Sequence, residues 1–352
     1  VPHVLAKINI ATMEELAQHP ACNLGKESNG NEAAALNACR LASAVANHSH
    51  WGRILVEDAD RIRFLHNQST NDFNSLKPGQ GCDTVFVTST ARTIDLATAY
   101  ITEDSVLLFV SPNRRQQLMQ WLDKYIFFAD KVRLTDITSE TAAFSLIGPE
   151  SHALLEKLGA GEMVGKPDGS HQLFNIAGAV FRVAVGNGLA IAGYTLIMPV
   201  AGAETLWNSI TAAGATPLSS LGWEQLRIEQ GRPAPDLELT EDYNPLEARL
   251  SHTISYSKGC YIGQETIARL NTYKGVKQHL WGVRLSFSAS PGTVVTVGEE
   301  KVGKLTSYTE TERGPFGLAY IRTKAGGAGL QVRVGESEGE TVDLPFLGPP
   351  VQ

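Results

Sequence analysis

Cysteine is scarce in this chain and patternless. The four residues, at 22, 39, 82 and 260, form no CxxC pair and stand beside no histidine cluster at zinc spacing. That argues against a zinc module or a disulfide scaffold and for free thiols in a reducing compartment. No apolar run approaches the roughly 20 residues of a membrane span. Neither a GxGxxG turn nor a P-loop appears, which argues against a dinucleotide or nucleoside triphosphate site. Positive charge is also short: 30 Lys and Arg against 37 Asp and Glu leave a net charge of −7. Broad phosphate-driven binding needs the opposite balance. A soluble chain with no membrane and no nucleic-acid partner is expected.

What is present suffices for two or three domains: 352 residues, of which 43% are hydrophobic. Residues 1–50 read as an N-terminal arm, with polar NLGKESNGNE at 23–32 and a helix over EAAALNACRLASAVAN, 32–47. NHSHW (47–51) holds two histidines without a third ligand nearby and reads as a surface turn. Strands and helices then interleave without a strict βαβ repeat, in two lobes of roughly 51–137 and 138–280, interleaved in sequence. From 281 to 352 the chain becomes rich in Gly, Val and Thr, with short strands WGVRLS, TVVTV, KVGKLTSY, GLAYI and LQVRV. That pattern predicts a small β-barrel or sandwich. The class is α+β.

The chemistry concentrates in KGCYIGQETIAR, 258–269. A thiol reacts as its thiolate, which neighbouring cations favour, and Lys258 and Arg269 are the candidates beside Cys260. Gly259 and Gly263 leave backbone uncovered for a ligand or partner. The alternative is a buried free cysteine with no reactivity. Glu229 could accept paired hydrogen bonds from an amidine-like edge, or could sit at the surface paired with Arg227 or a lysine. Asp95, between Ile94 and Leu96 in a strand, could line a cavity or face solvent.

The segment Lys258–Arg269 resembles the signature of the YgfZ-type proteins, a folate-binding family that supports iron–sulfur cluster assembly and repair. Their fold is similar to that of the glycine-cleavage T-protein, a tetrahydrofolate-dependent aminomethyltransferase. FLHNQSTNDFNSLKPGQG (64–81), LGWEQLRIEQGRPAPD (221–236), NPLEARLSHTISYSKGC, KVGKLTSY and VDLPF extend the resemblance over most of the chain. It implies a three-domain ring with a C-terminal barrel and a folate in the central opening, with the signature on its rim. Glu229 would hold the pterin, with Asn113, Arg227, Asp95 and Tyr261 as further folate-binding candidates. Cys260 would be the functional thiol, its surroundings shaped by Lys258, Gln264, Glu265 and Arg269. The implied cofactor is tetrahydrofolate or a derivative, together with a transient iron–sulfur cluster bridged by a partner or glutathione and no resident metal site. The implied partners are iron–sulfur assembly proteins or client enzymes, and a monomer is expected.

The chain also departs from the T-protein pattern. Where that family has two consecutive aspartates, Asp95 fills the first position and Leu96 the second, and its Gly-Tyr-Thr-Gly-Glu loop is reduced to GYTLIM. A leucine cannot stabilise a transferring iminium, so aminomethyl transfer, or demethylation of a small amine, becomes the alternative function. A non-enzymatic folate-sensing scaffold is a third. GRILVEDADRIRFLHNQST and KYIFFADKV resemble the plant and algal branch. That branch implies import into the chloroplast stroma, with the mitochondrial matrix as alternative, and a removed transit peptide before Val1.

Overall fold

The computed structural model describes residues 19–25, 32–176 and 178–350. Residues 1–18 and 26–31 of the expected N-terminal arm lie outside the described residues. In chain order the structure opens with α1 (Glu32–Leu41), β1 (Ala44–Asn47), β2 (Gly52–Glu57) and α2 (Arg61–Gln68). There follow β3 (Gly81–Val87), β4 (Thr93–Ile101), β5 (Ser105–Val110), α3 (Arg115–Asp123) and β6 (Arg133–Asp136). The next stretch holds β7 (Thr141–Ile147), α4 (Ser151–Lys157), β8 (His171–Ile176), β9 (Ala179–Val185) and β10 (Gly193–Pro199). α5 (Val200–Ala212), β11 (Thr216–Leu218), α6 (Ser220–Gln230) and α7 (Gln264–Thr272) complete the helical part. The last six strands are β12 (Gln278–Leu285), β13 (Val294–Val297), β14 (Glu300–Thr311), β15 (Gly314–Arg322), β16 (Gln331–Val334) and β17 (Ser337–Val342).

Three sheets result. One is five-stranded in the order β3-β4-β5-β2-β6, one six-stranded in the order β11-β1-β7-β10-β9-β8, and β12-β15-β14-β13-β16-β17 close into a barrel. The expected helix over 32–47 is corrected at its second half. It stops at Leu41, and Ala44–Asn47 pairs antiparallel with β7 and parallel with β11. Alanine favours helix intrinsically, but Ala44, Val45 and Ala46 are small enough to be buried inside a sheet, and packing overrides propensity.

Two joints set the lobes around a common centre. The Arg53 guanidinium, fully buried, donates to the carbonyls of Ser49, Trp51, Thr138 and Thr141 and to the Thr141 hydroxyl. It thereby ties β2 to the start of β7. Leu96 packs with Ile228, Leu239, Leu280 and Leu318, which seals the five-stranded lobe to α6 and the barrel.

A cavity between the lobes as candidate functional site

α6 carries the centre of the molecule. Ser219 caps its start by accepting from the Gly222 amide, and Gly231 ends it at φ 87°. A side chain at Gly231 would be strained and would strike Leu344 at 2.7 Å, so the helix can meet the last segment of the chain only with glycine here. On the inner face Arg227 donates to Glu224 at 2.5 Å and to Glu238 at 3.1 Å, and reaches Ser307 Oγ of the barrel at 2.9 Å. Glu224 and Glu238 offset the burial of this guanidinium and keep it charged.

Beside that face lies a cavity of about 300 Å³. Its wall combines Ala46 and Asn47 at the end of β1, His48, His50 and Trp51 in the turn that follows, Ser111–Asn113 after β5, the start of α6, and the Arg232–Leu237 loop. His48 stacks on Trp51 with ring centroids 4.9 Å apart and meets Trp223 edge-on at 4.2 Å. Trp51 stacks in turn on Phe109. His48 Nδ1 bonds Ser145 Oγ at 2.9 Å, while His48 Nε2 and His50 Nδ1 are buried without a partner among the described residues. Burial, helped by His50 and Arg232, holds His48 well below its usual pKa, so the ring is neutral. The site is thus a flat-sided aromatic chamber with a few polar atoms left open, the composition of a pocket for a planar organic ligand. NHSHW is accordingly a buried wall of the chamber, where the sequence pattern predicted a surface turn: its rings find Trp223 only after folding.

Of the expected folate-binding residues, Arg227 and Asn113 line this cavity. Asn113, at φ 61°, donates to Asp236 at 2.9 Å, and Asp236 is also held by Arg114 at 2.5 Å. Glu229 lies elsewhere. It accepts from Arg40 at 2.6 Å and from Gln225 at 2.8 Å, on an outer groove lined by Arg284, Arg313 and Pro345. Two residues along a helix turn a side chain by roughly 200°, so Arg227 and Glu229 cannot share a face. Asp95 neither lines the cavity nor faces solvent. Its Oδ2 accepts from the Ser111 amide at 3.0 Å and its Oδ1 has no partner among the described residues. Burial, only partly opposed by Ser111 and the nearby arginines, pushes its carboxyl up to about 6. Tyr261 packs with Ala91, Leu246, Ile254 and Ile267 in a separate small core.

The signature loop also stands apart; none of Lys258–Arg269 lines the cavity. Lys258 is buried and its ammonium donates to the carbonyls of His66, Ser69 and Asn71, pinning the loop over the end of α2. Burial lowers it to about 8. It is spent on these carbonyls and on the Tyr261 ring face at 4.7 Å, so its expected partnership with Cys260 is replaced by a structural one. Gly263 sits at φ 80°, and a Cβ added there would lie 2.8 Å from the Thr88 carbonyl oxygen, so the turn into α7 requires glycine. Cys260 is exposed on this braced turn, whereas burial pushes the thiols of Cys39 and Cys82 up to about 12. Glu265 and Arg269 are exposed on α7 and Gln264 is half-buried at its start.

Residues 12–258 match the GCVT N-terminal domain family. The chain belongs to that family. It is 49% identical over 324 residues to an Arabidopsis thaliana protein named "Putative transferase, chloroplastic", covering 91% of this chain and 75% of the relative. It is 28% identical over 309 residues to the aminomethyltransferase of Caldanaerobacter subterraneus, covering 84% and 82%. Its fold matches the crystal structure of the glycine cleavage system aminomethyltransferase T from Bartonella henselae, with TM-score 0.78, 19% identity and 89% of each chain covered. The α+β, T-protein-like architecture with a closed barrel is therefore present. Among the described residues no group of His, Cys, Asp and Glu could hold a metal ion, and no helix is long and apolar enough to cross a membrane.

Sequence reasoning missed His48, Trp51, Trp223 and Arg232 as cavity residues. Two of the chain's five tryptophans stand on this wall, and aromatic rings beside a histidine in an otherwise polar stretch were the available signal.

Proposed function

We propose that this GCVT-family protein binds a tetrahydrofolate-type ligand in the cavity between the lobes and assists iron–sulfur cluster assembly or repair through Cys260, in a plastid. One observation favours binding over group transfer. Both carboxylates on the cavity wall are committed, Glu224 to Arg227 and Asp236 to Asn113 and Arg114, and Asp95 is sealed behind Ser111. A transferase needs a base or iminium stabiliser within hydrogen-bond reach of the reacting atoms. The orphaned nitrogens of His48 and His50 and the Trp51 and Trp223 walls fit a flat, acceptor-rich ring. When bound, a folate supplies a one-carbon unit; the chain's own part is to stack the ring, exclude water and orient it through His48 and Asn113.

Cys260 supports the second half of the reading by its placement: exposed, on a turn held rigid from beneath, outside the cavity and open to a partner protein. Soft thiolate suits iron and sulfur, and one cysteine requires a partner to complete any cluster site. Two measurements test the proposal. Titration with 5-formyltetrahydrofolate should quench the cavity tryptophans, and Cys260→Ala should abolish rescue of iron–sulfur enzyme activity while leaving that titration unchanged. Rescue by the alanine variant would remove the role of the thiol.

Aminomethyl transfer is the second reading, favoured by the relatives' names and by the elevated Asp95 carboxyl. Transfer of a one-carbon unit from a small amine to folate, lost in Asp95→Asn, would establish it over the first.

A further inference from the structure

Four arginines of the described chain are buried, and three of them are satisfied. Arg53 donates to four carbonyls and a hydroxyl. Arg227 has Glu224 and Glu238, and Arg249 has Asp343 and the Gly348 carbonyl. Arg232 differs. It is 4% exposed, yet its guanidinium makes one hydrogen bond, Nη1 to the Gly188 carbonyl at 2.9 Å, and forms no ion pair among the described residues. Trp51 and Phe346 flank it, each ring centroid 5.4 Å from Cζ. The carboxylates of Asp83 and Asp95 act on it only at longer range, and burial outweighs them.

The same side chain lines the aromatic cavity, and its neighbours Gly188 and Phe346 line a second cavity of about 230 Å³ that also holds Tyr100, Asp168 and His252. Arg232 thus faces the aromatic chamber, and two residues it touches line the second. Gly188 permits its close approach: a Cβ there would lie 3.1 Å from Nη1. A buried guanidinium without a counter-ion is costly, and a fold retains one where an anion from outside completes it.

We propose that Arg232 is the anchor for a carboxylate on a planar organic ligand whose ring lies against Trp51 and Trp223. The guanidinium fork matches two carboxylate oxygens, and the flanking rings hold it flat and dry, where a charge-assisted pair is strongest. The ligand class is an aromatic or heteroaromatic acid. This sharpens the folate reading, since a folate carries both a flat ring and carboxylates, but the anchor can be tested without it.

The test is fluorescence titration of wild-type, Arg232→Gln and Arg232→Lys proteins with benzoate, benzamide and 5-formyltetrahydrofolate, alongside thermal melts of the ligand-free proteins. Benzoate should bind wild type about tenfold or more tightly than benzamide, the scale of one charge-assisted contact. Arg232→Gln should erase that preference, and Arg232→Lys should restore part of it. Ligand-free Arg232→Gln should melt at or above the wild-type temperature, because it loses an uncompensated buried charge. Equal binding of benzoate and benzamide to wild type, a preference that survives Arg232→Gln, or a clear drop in its ligand-free melting temperature would each overturn the proposal. If the benzoate preference depends on Arg232 while 5-formyltetrahydrofolate fails to bind, the anchor stands and the folate reading falls.

Discussion

At the residue scale, position 95 shows how burial alone sets chemistry. Asp95 occupies the interior of its sheet with half its carboxylate unpartnered, so folding favours the protonated form. The sign follows from a folded pKa of about 6 against an ordinary 3.8. The favourable effect is complete below the lower value and is lost as pH rises through the upper one. Above it the buried carboxylate costs on the order of 3 kcal/mol. Asp95→Asn should therefore be more stable than wild type at pH 8 in urea unfolding, and should lose the pH slope between roughly 4 and 6. Glu229 offers the opposite case. Paired with Arg40 at a partly exposed groove, it should contribute no more than about 1 kcal/mol. Glu229→Gln should shift the denaturation midpoint little and leave ligand quenching of the cavity tryptophans unchanged. A large loss of binding would return the residue to the folate site.

At the scale of elements, the decisive fact is that α6 has two working faces. Its inner face sends Arg227 toward Glu238 and Ser307 of the barrel, and its outer side sends Glu229 to Arg40 of α1. Arg227→Met removes one side of a buried pair and leaves Glu238 uncompensated, so it should destabilise by about 3–5 kcal/mol in equilibrium unfolding. The turn before α7 is a second element, held by the Lys258 ammonium and by one backbone bond. Lys258→Met would orphan the carbonyls of His66, Ser69 and Asn71, at a cost of about 2 kcal/mol, and hydrogen exchange should quicken across 258–263 while the barrel amides stay protected. Unchanged exchange there would mean that the backbone bond from Ile262 to Asn67, not the lysine, holds the loop.

At the scale of the whole molecule, the cavity exists because three separate stretches converge on it. The 46–51 turn, the 111–113 turn and the α6–Asp236 segment each contribute a wall, and Arg53 and the Leu96 cluster hold those walls at fixed separation. A ligand that binds only this assembled state must stabilise it: at a hundredfold excess over its dissociation constant the gain is about 2.7 kcal/mol. Differential scanning fluorimetry with 5-formyltetrahydrofolate should show that rise in melting temperature in wild type.

Much of the architecture was legible without coordinates. Short Val- and Thr-rich runs between glycine turns marked the barrel strands, because β-branched residues suit a pleated, half-buried surface and turns must separate antiparallel strands. The LGWEQLRIEQG stretch was read as the helix that became α6, and the Lys258–Arg269 residues marked a turn into α7. β1 escaped because four small residues carry too little pattern to outweigh alanine's helix preference. β17 escaped because its polar residues resemble loop, and β8 because Leu173, Phe174 and Ile176 follow no strict alternation and lie largely exposed or half-buried.

The sequence by itself determined the class of fold, the C-terminal barrel and a glycine-flanked turn at Cys260, since each rests on short strands between turns or on local glycine geometry; whether that thiol is exposed was decided by the folded chain. Only the tertiary structure decided which charged residues meet which. It turned Glu229 outward, buried Asp95, spent Lys258 on carbonyls and left Arg232 without a counter-ion, because the partner that satisfies a charge is set by long-range packing that no local spacing encodes.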